Sequence, residues 1–323
     1  MDFNVITIGD YSLDVILNIP DTSAVLNTAW DKREICLAQD KKILADELYT
    51  FIGGNACNVA VGLQRLGNKC SYVTFVGTDF TAARFKEEMK NEGIDISYCQ
   101  KRNGTAGNYS TSLIFQKEKT IIIYSPQNEY DLPNLQPVKM LFISSVGKNY
   151  KKIFSQTRDF INQNKVLLAF NPASHQLENS VETYKNILER TCFLFVNKQE
   201  AVKILEKDDI GIKDILTELK KLGPKVVVVT EGKKGSYVVS DNQFYHCPIY
   251  DIEVVQKTGA GDAFTSGYLH AILEGINEAE ALRFGTFNAA SVAGAWGPHA
   301  GLLSKDSMQR ILESQQSIKA VKI

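Results

Sequence analysis

The segment Thr258-Gly259-Ala260-Gly261-Asp262-Ala263-Phe264 places two glycines and a carboxylate at a turn. That turn opens an apolar run through Phe264, Tyr268, Ala271 and Ile272, spaced as one face of an α-helix. A glycine-rich turn at a helix N-terminus presents free backbone N–H groups, which suits a phosphate or a charge that develops during a reaction. Asp262 then stands as an isolated carboxylate able to take a proton beside the anion site. The combination reads as phosphoryl transfer to a hydroxyl. Taken alone, the same four residues also read as a loop with an N-capping aspartate, and the two readings are evenly matched. A dinucleotide-binding loop is excluded, because Phe264 stands where a third small residue is required. No Gly-x4-Gly-Lys-Ser/Thr loop occurs anywhere in the chain.

The elements that must position this turn alternate. Short β-branched runs at Val5–Ile8, Val73–Val76, Met140–Ser144, Val166–Phe170, Phe193–Val196 and Val226–Thr230 read as strands buried on both faces. Helical patterns lie between them at Ala56–Leu66, Thr81–Asn91, Lys151–Asn162, Lys198–Leu205 and Ile212–Leu222. Such alternation predicts a parallel sheet covered by helices on both sides. Residues 12–52 and 95–130 break the rhythm. Period-2 runs at Tyr109–Phe115 and Thr120–Tyr124, joined by residues 116–119, predict a hairpin that forms part of a small separate sheet over the site. A second hairpin is expected from Tyr237–Ser240 and Phe244–Cys247, followed by three helices ending near Ser317.

Composition restricts the function. The 323 residues are 44% hydrophobic and 23% charged, with a formal net charge of −1. There is no basic surplus for a nucleic-acid backbone, and no run reaches the roughly 18 apolar residues of a membrane span. No basic n-region or cleavage site precedes the Val5–Ile8 strand pattern, so no leader is expected, and the six cysteines show no Cys-x-x-Cys spacing. A cytoplasmic protein with reduced thiols is expected.

Four further stretches accompany the Thr258–Asp262 turn. They are Gly53-Gly54-Asn55-Ala56-Cys57-Asn58-Val59-Ala60 followed by Gly67 and Gly77; Asp14 soon after the first strand; Asn197-Lys198-Gln199-Glu200; and Thr230-Glu231-Gly232-Lys233-Lys234-Gly235. The last two each begin where a strand ends. By itself Asn197-x-x-Glu200 is an ordinary helix start with a capping box. In this order and spacing, the stretches resemble the two signatures of the ribokinase-like (PfkB) carbohydrate kinases, over nearly the whole chain. The resemblance implies a single kinase domain over residues 1–323, a three-layer α/β/α sandwich with a mostly parallel central sheet and a small β lid from about 12–52 and 95–130. It implies that Asp262 is the general base and that Gly259, Ala260 and Gly261 form the anion hole. Ser12, Asp14, Gly54, Asn55 and Asn58 match positions that hold sugar hydroxyls. Asn197, Thr230, Gly232, Gly235 and Asn288 match the ATP site, with Glu200 organising Mg²⁺, in part through water.

The chain also departs from that pattern. Gln256-Lys257-Thr258 replaces a triplet whose aspartate helps hold a monovalent cation, so potassium activation is not expected. Ser144-Ser145-Val146 stands where ribose-specific relatives place a glutamate, and Asn55 replaces a lysine common in phosphosugar members. The expectation is an ATP- and Mg²⁺-dependent kinase of a primary hydroxyl on a neutral sugar or sugar-like compound. A nucleoside kinase of the same fold is the alternative, with Tyr109, Phe115 and Tyr124 as a pocket for the base. A non-catalytic binding module is the rival from another class, and an intact base argues against it. No nucleic-acid or membrane partner is expected, and the lid's open sheet edge suits a homodimer.

Overall fold

The computed structural model describes residues 3–20, 24–27, 34–116, 118–126, 129, 131–208 and 210–323. The central sheet has nine strands. In chain order they are β1 (Val5–Ile8), β6 (Cys70–Val73), β11 (Met140–Ser144), β12 (Leu167–Asn171), β13 (Phe193–Asn197), β14 (Val226–Thr230), β15 (Ser236–Ser240), β16 (Gln243–Cys247) and β17 (Val321–Lys322). Their spatial order is β17-β16-β15-β14-β13-β12-β11-β1-β6. From β6 to β14 neighbouring strands pair in parallel, and β15, β16 and β17 add antiparallel.

Alternate residues of each strand serve opposite layers, because successive side chains point to opposite faces. Val226 and Val228 of β14 join one apolar cluster and Val227 and Val229 the other. The first layer consists of α1 (Asn55–Arg65), α2 (Phe80–Asn91), α8 (Ala260–Leu273) and α9 (Glu278–Ala293). The second is built mainly from α3 (Tyr150–Asn164), α6 (Lys198–Leu205) and α7 (Ile212–Lys221), with the single turns α4 (Ser174–Leu177) and α5 (Lys185–Leu188) beside them. The last helix, α10 (Lys305–Ser314), packs its Met308 against Phe287 of α9.

A separate four-stranded sheet forms the lid, in the order β10-β9-β2-β5. Its strands are β2 (Ser12–Asn18), β5 (Glu47–Gly53), β9 (Asn108–Phe115) and β10 (Glu118–Tyr124). The pairs β3 (Ala24–Asn27) with β4 (Glu34–Leu37), and β7 (Phe75–Val76) with β8 (Gln100–Lys101), are small additional ribbons. Residues 21–23, 28–33, 117, 127–128 and 130 of the expected lid segments lie outside the described residues.

Two expectations need correction. The strand expected over Val73–Val76 is in fact β6 ending at Val73, with Phe75–Val76 diverted to pair with β8. Polar Ser71 had masked its start; the hydroxyl is buried because it donates to Asp95 Oδ1 at 2.9 Å. The hairpin loop is also shorter than expected, since Glu118 already pairs with Phe115. Lys119 therefore belongs to a strand.

Candidate active site

The cleft lies where the parallel strands end at their C-terminal edge, between the main sheet and the lid. It is a cavity of about 380 Å³ lined by Asp10, Ser12, Asp14, Gly54, Asn55, Asn58, Glu200, Thr258, Gly259 and Asp262, and by Ser110, Lys119, Ile121 and Ile123 of the lid.

Two helices meet beneath it. Helix α8 starts at Gly259, whose φ of +80° is left-handed; a Cβ there would stand 2.8 Å from Pro298 Cβ. Glycine is thus required by both conformation and space. The N–H groups of Gly261 and Asp262 have no partner further back in the helix and are directed out of its N-terminus, while that of Ala260 makes only a long bond of 3.4 Å to the Lys257 carbonyl. A Cβ on Gly261 would meet nothing within 4 Å, so this backbone is open to a ligand. One turn into α1, Asn58 donates Nδ2–H to Asp262 Oδ2 at 2.7 Å. The two helices approach closely one turn later, where Gly62 faces Ser266 and an added Cβ would stand 2.2 Å from Ser266 Oγ. Asn58 and Gly62 share one face of α1, as Asp262 and Ser266 share one face of α8. The small residues set the helix spacing that lets the amide reach the carboxylate.

Burial raises the pKa of Asp262 to about 7; the Asn58 hydrogen bond works against the rise, and the Glu200 and Asp14 charges add to it. Its proton affinity therefore matches a group that accepts a proton near neutrality.

The opposite wall comes from the lid. Asp14 lies in β2, and its Oδ1 accepts from Ser12 Oγ at 2.7 Å and from Ser110 Oγ at 2.6 Å. Gly53 lies across the pair from Ser12 in β5; its missing Cβ leaves room for Asp14 Oδ2, which would be only 2.4 Å away. Gly54, at φ +104°, passes within Cβ distance of the Asp10 carbonyl, so Asn55 enters the cleft as the first residue of α1. Asn55 Nδ2 donates to Asn171 Oδ1 at 3.1 Å.

The residues expected around a nucleotide lie farther along the same edge. Asn197 and Thr230 are register partners at the ends of β13 and β14. Asn197 caps α6: its Oδ1 accepts from Glu200 N, and Glu200 Oε2 accepts from Asn197 N, both at 2.9 Å. The capping box thereby fixes Glu200 at the cleft, and burial raises its carboxyl pKa. Gly232 adopts φ +49° in open space, whereas Gly235, at φ +90°, is a close approach to the Cys247 carbonyl, 2.2 Å from its Cβ position. Asn288 departs from expectation. It is fully buried, donates Nδ2–H to Ala263 O at 2.9 Å and to Ser266 Oγ at 3.1 Å, and accepts from Leu303 N at 3.0 Å. With its amide saturated inside the protein, its side chain is a brace between α8, α9 and the following loop, not a wall of a nucleotide pocket.

Three site residues escape a reading of the sequence. Asp10 sits in the cleft with its pKa raised to about 7 by burial, against hydrogen bonds from Asn108 and the Gly147 backbone. Lys119 donates Nζ–H to Thr258 Oγ1 at 3.0 Å, which ties the lid to the Thr258–Asp262 turn; burial lowers its pKa and Asp14 raises it. His299 contacts Asn58 from behind. Asp10 lies two residues beyond the end of β1, which is a usable signal. The other two are brought in only by long-range packing.

A helix N-terminus that carries a carboxylate in its first turn, under a β lid and at the edge of a parallel sheet, is an arrangement suited to phosphoryl transfer to a small molecule. The pfkB family carbohydrate kinase model matches residues 19–304, and the chain belongs to that family. It is 25% identical over 296 residues to 5-dehydro-2-deoxygluconokinase of Clostridium tetani, covering 84% of this chain and 85% of that protein. Its fold is similar to that of the Methanocaldococcus jannaschii nucleoside kinase, an archaeal member of the ribokinase family, with a TM-score of 0.78 at 23% identity over 97% of this chain and 99% of that one. It is also similar to Arabidopsis thaliana ribokinase complexed with ribose and ATP, with a TM-score of 0.80 at 19% identity over 97% and 99%. Among the described residues no helix is long and apolar enough to cross a membrane.

Proposed function

We propose that the protein transfers the γ-phosphoryl group of ATP to a primary hydroxyl of a neutral sugar or sugar-like molecule, with Asp262 as general base and the Gly259–Gly261 turn as anion hole. The observation that carries this reading is the position of Asp262: a carboxyl with a pKa of about 7, three residues into α8, held by Asn58 at 2.7 Å. An acceptor hydroxyl bonded to Asp262 loses its proton to the carboxylate as the phosphorus–oxygen bond forms, and the amides of Ala260 and Gly261 face the charge on the phosphoryl oxygens. A loose phosphoryl-transfer transition state needs this kind of positioning and charge stabilisation. Each well-aimed amide contributes on the order of 2.7–4 kcal/mol, and the base about 10²–10⁴-fold. The carboxylate of Glu200 is an oxygen donor suited to Mg²⁺ held with ATP phosphates through water. When bound, the metal neutralises phosphate charge.

Asp14, Ser12, Ser110 and Asn55 present the hydrogen-bonding groups for acceptor hydroxyls. Four carboxyl groups, Asp10, Asp14, Glu200 and Asp262, line the cleft beside the amine of Lys119, which favours a neutral acceptor over a phosphosugar. Ile121 and Ile123, on the cleft face of β10, with Tyr109, give the nucleoside alternative its specific support, because an apolar roof suits a base. The opposite face of β10, at the sheet's edge, exposes Ile122 and Tyr124 at 60% and 54% and supports a homodimer through the lid. We read residues 1–323 as one kinase unit on the same grounds.

The test is a screen of neutral sugars, amino sugars, phosphosugars and nucleosides for acceptor-dependent ADP formation, with the product located by ³¹P NMR. A phosphate monoester on a primary hydroxyl of a neutral sugar is expected. A phosphosugar as best substrate overturns the neutral class, and no acceptor-dependent turnover with any compound overturns the reading as a whole.

A further inference from the structure

His299 lies in the segment between α9 and α10 and is 7% exposed. Its Nε2 is 2.9 Å from Asn58 Oδ1, and its Nδ1 is 3.0 Å from Glu88 Oε1 on α2. Arg65 of α1 donates Nη1–H to the His299 carbonyl at 2.5 Å, and is itself paired with Glu92 at 2.6 Å. The histidine is thus clamped by its backbone and by its ring. With the Asn58 bond to Asp262, a line of four side chains runs Glu88–His299–Asn58–Asp262 through the first helical layer.

The direction of each bond follows from donor chemistry. An amide offers donors at one end and an acceptor at the other. With Asp262 in its base form, Nδ2 of Asn58 must face it, and Oδ1 is left facing the ring. Nε2 of His299 therefore carries the hydrogen of that bond. Nδ1 lies 3.0 Å from the Glu88 carboxylate, a contact that lowers the Glu88 pKa. Were the Asn58 amide free to turn over, Oδ1 would face the carboxylate, acceptor against acceptor, and would favour the protonated acid over the base.

We propose that His299 is a positioning residue for the general base: its Nε2–H locks the Asn58 amide in the one orientation that donates to Asp262. This rests on the reading of Asp262 as the base. Glu88 and Arg84 from α2, Arg65 and Cys57 from α1, Glu92 through Arg65, Asp262 from α8, and Asp14 of β2 and Glu200 of α6, whose charges act on Asp262, are the titratable or charged groups around the line.

The test uses the full chain, and its titration needs no acceptor. The Asp262 carboxyl is titrated by ¹³C NMR, with its signal assigned by its absence in Asp262→Asn. In His299→Gln the side-chain amide nitrogen stands near the ring Nε2 and keeps the donor, so the midpoint stays within about 0.2 units of wild type. In His299→Asn the shorter amide reaches only as far as Nδ1 and loses the donor. The midpoint then rises by about half a unit to one unit, the value of one hydrogen bond to a carboxylate. The acid limb of kcat moves by the same amount while the KM for ATP is unchanged. A midpoint unmoved in folded His299→Asn, or moved equally in both variants, overturns the proposal. Wild-type ring ¹⁵N spectra supply a check that no variant's folding affects: an unprotonated Nε2 above pH 7.5, where Asp262 is ionised, overturns it too. Turnover retained in Asp262→Asn would instead refute the base itself and leave the titration result standing.

Discussion

Replacing Gly62 with Ala tests whether helix spacing holds the base. The added Cβ would lie 2.2 Å from Ser266 Oγ, 2.7 Å from Ser266 Cβ and 3.3 Å from Leu302 Cδ2. Rotating the serine does not relieve the Cβ contact, and its hydroxyl is already engaged by Ala263 O at 2.9 Å and Asn288 Nδ2 at 3.1 Å. The helices must separate by about 1 Å to reach ordinary contact distances. Overpacking of that kind costs about 1–3 kcal/mol, while Gly→Ala inside a helix returns about 1 kcal/mol. The net loss of stability is therefore about 0–2 kcal/mol, a few degrees in Tm at most. The kinetic loss is larger. Displacing α1 from α8 by about 1 Å carries the Asn58–Asp262 bond, now 2.7 Å, past hydrogen-bonding distance. Misplacement on that scale costs about 10²-fold in kcat. The assay is kcat with the acceptor identified in the screen, alongside thermal melts. Gly62→Ala/Ser266→Gly, which removes the obstructing atoms, should recover part of the activity and show a coupling between the sites. Wild-type kcat and Tm in Gly62→Ala would refute the argument.

Activity should follow the ionised fraction of Asp262: kcat rises to a plateau above a midpoint near pH 7 and falls tenfold per unit below it, and a flat profile between pH 5 and 8 would contradict this. The sign for stability is opposite. A folded-state pKa raised from 3.8 to about 7 contributes stability that is full below the unfolded value and is lost as pH rises through 7, so Asp262→Asn should melt above wild type at pH 8, by up to about 4 kcal/mol, with the gap closing toward pH 4. Asp14→Ala should raise the acceptor KM about tenfold or more with the ATP KM within about twofold, since Asp14 is fixed by Ser12 and Ser110 toward the acceptor side; equal effects on both would count against that role. Potassium should change kcat less than tenfold at matched ionic strength: Gln256 donates Nε2–H to Thr258 O at 3.0 Å and accepts from Thr258 N at 3.2 Å, so its own amide braces the turn, and a larger rise would contradict this.

The parallel core was legible because β-branched runs such as Val226–Thr230 are buried on both faces and carry their own signal. Helix α6 was legible to the residue, since its capping box is local. What local pattern did not contain was the partnership of the lid strands: β2 lies parallel to β9, nearly a hundred residues later. Lys119 was hidden for the same reason, its position in β10 depending on the pairing of Glu118 with Phe115. Position in a motif does not reveal that three groups inside the protein already use the Asn288 amide. His299 had no neighbour in sequence to suggest a role; Asn58 and Glu88 reach it only after α1 and α2 pack.

The central claim is that Asp262 takes the proton of the acceptor hydroxyl. Asp262→Asn keeps the size of the side chain and removes the basic oxygen, so the measurement is kcat for the variant with the acceptor found in the screen, with ATP affinity measured in parallel. The account predicts a fall in kcat of at least about 10²-fold with ATP affinity within about twofold of wild type. Near-normal turnover in the folded variant would contradict it.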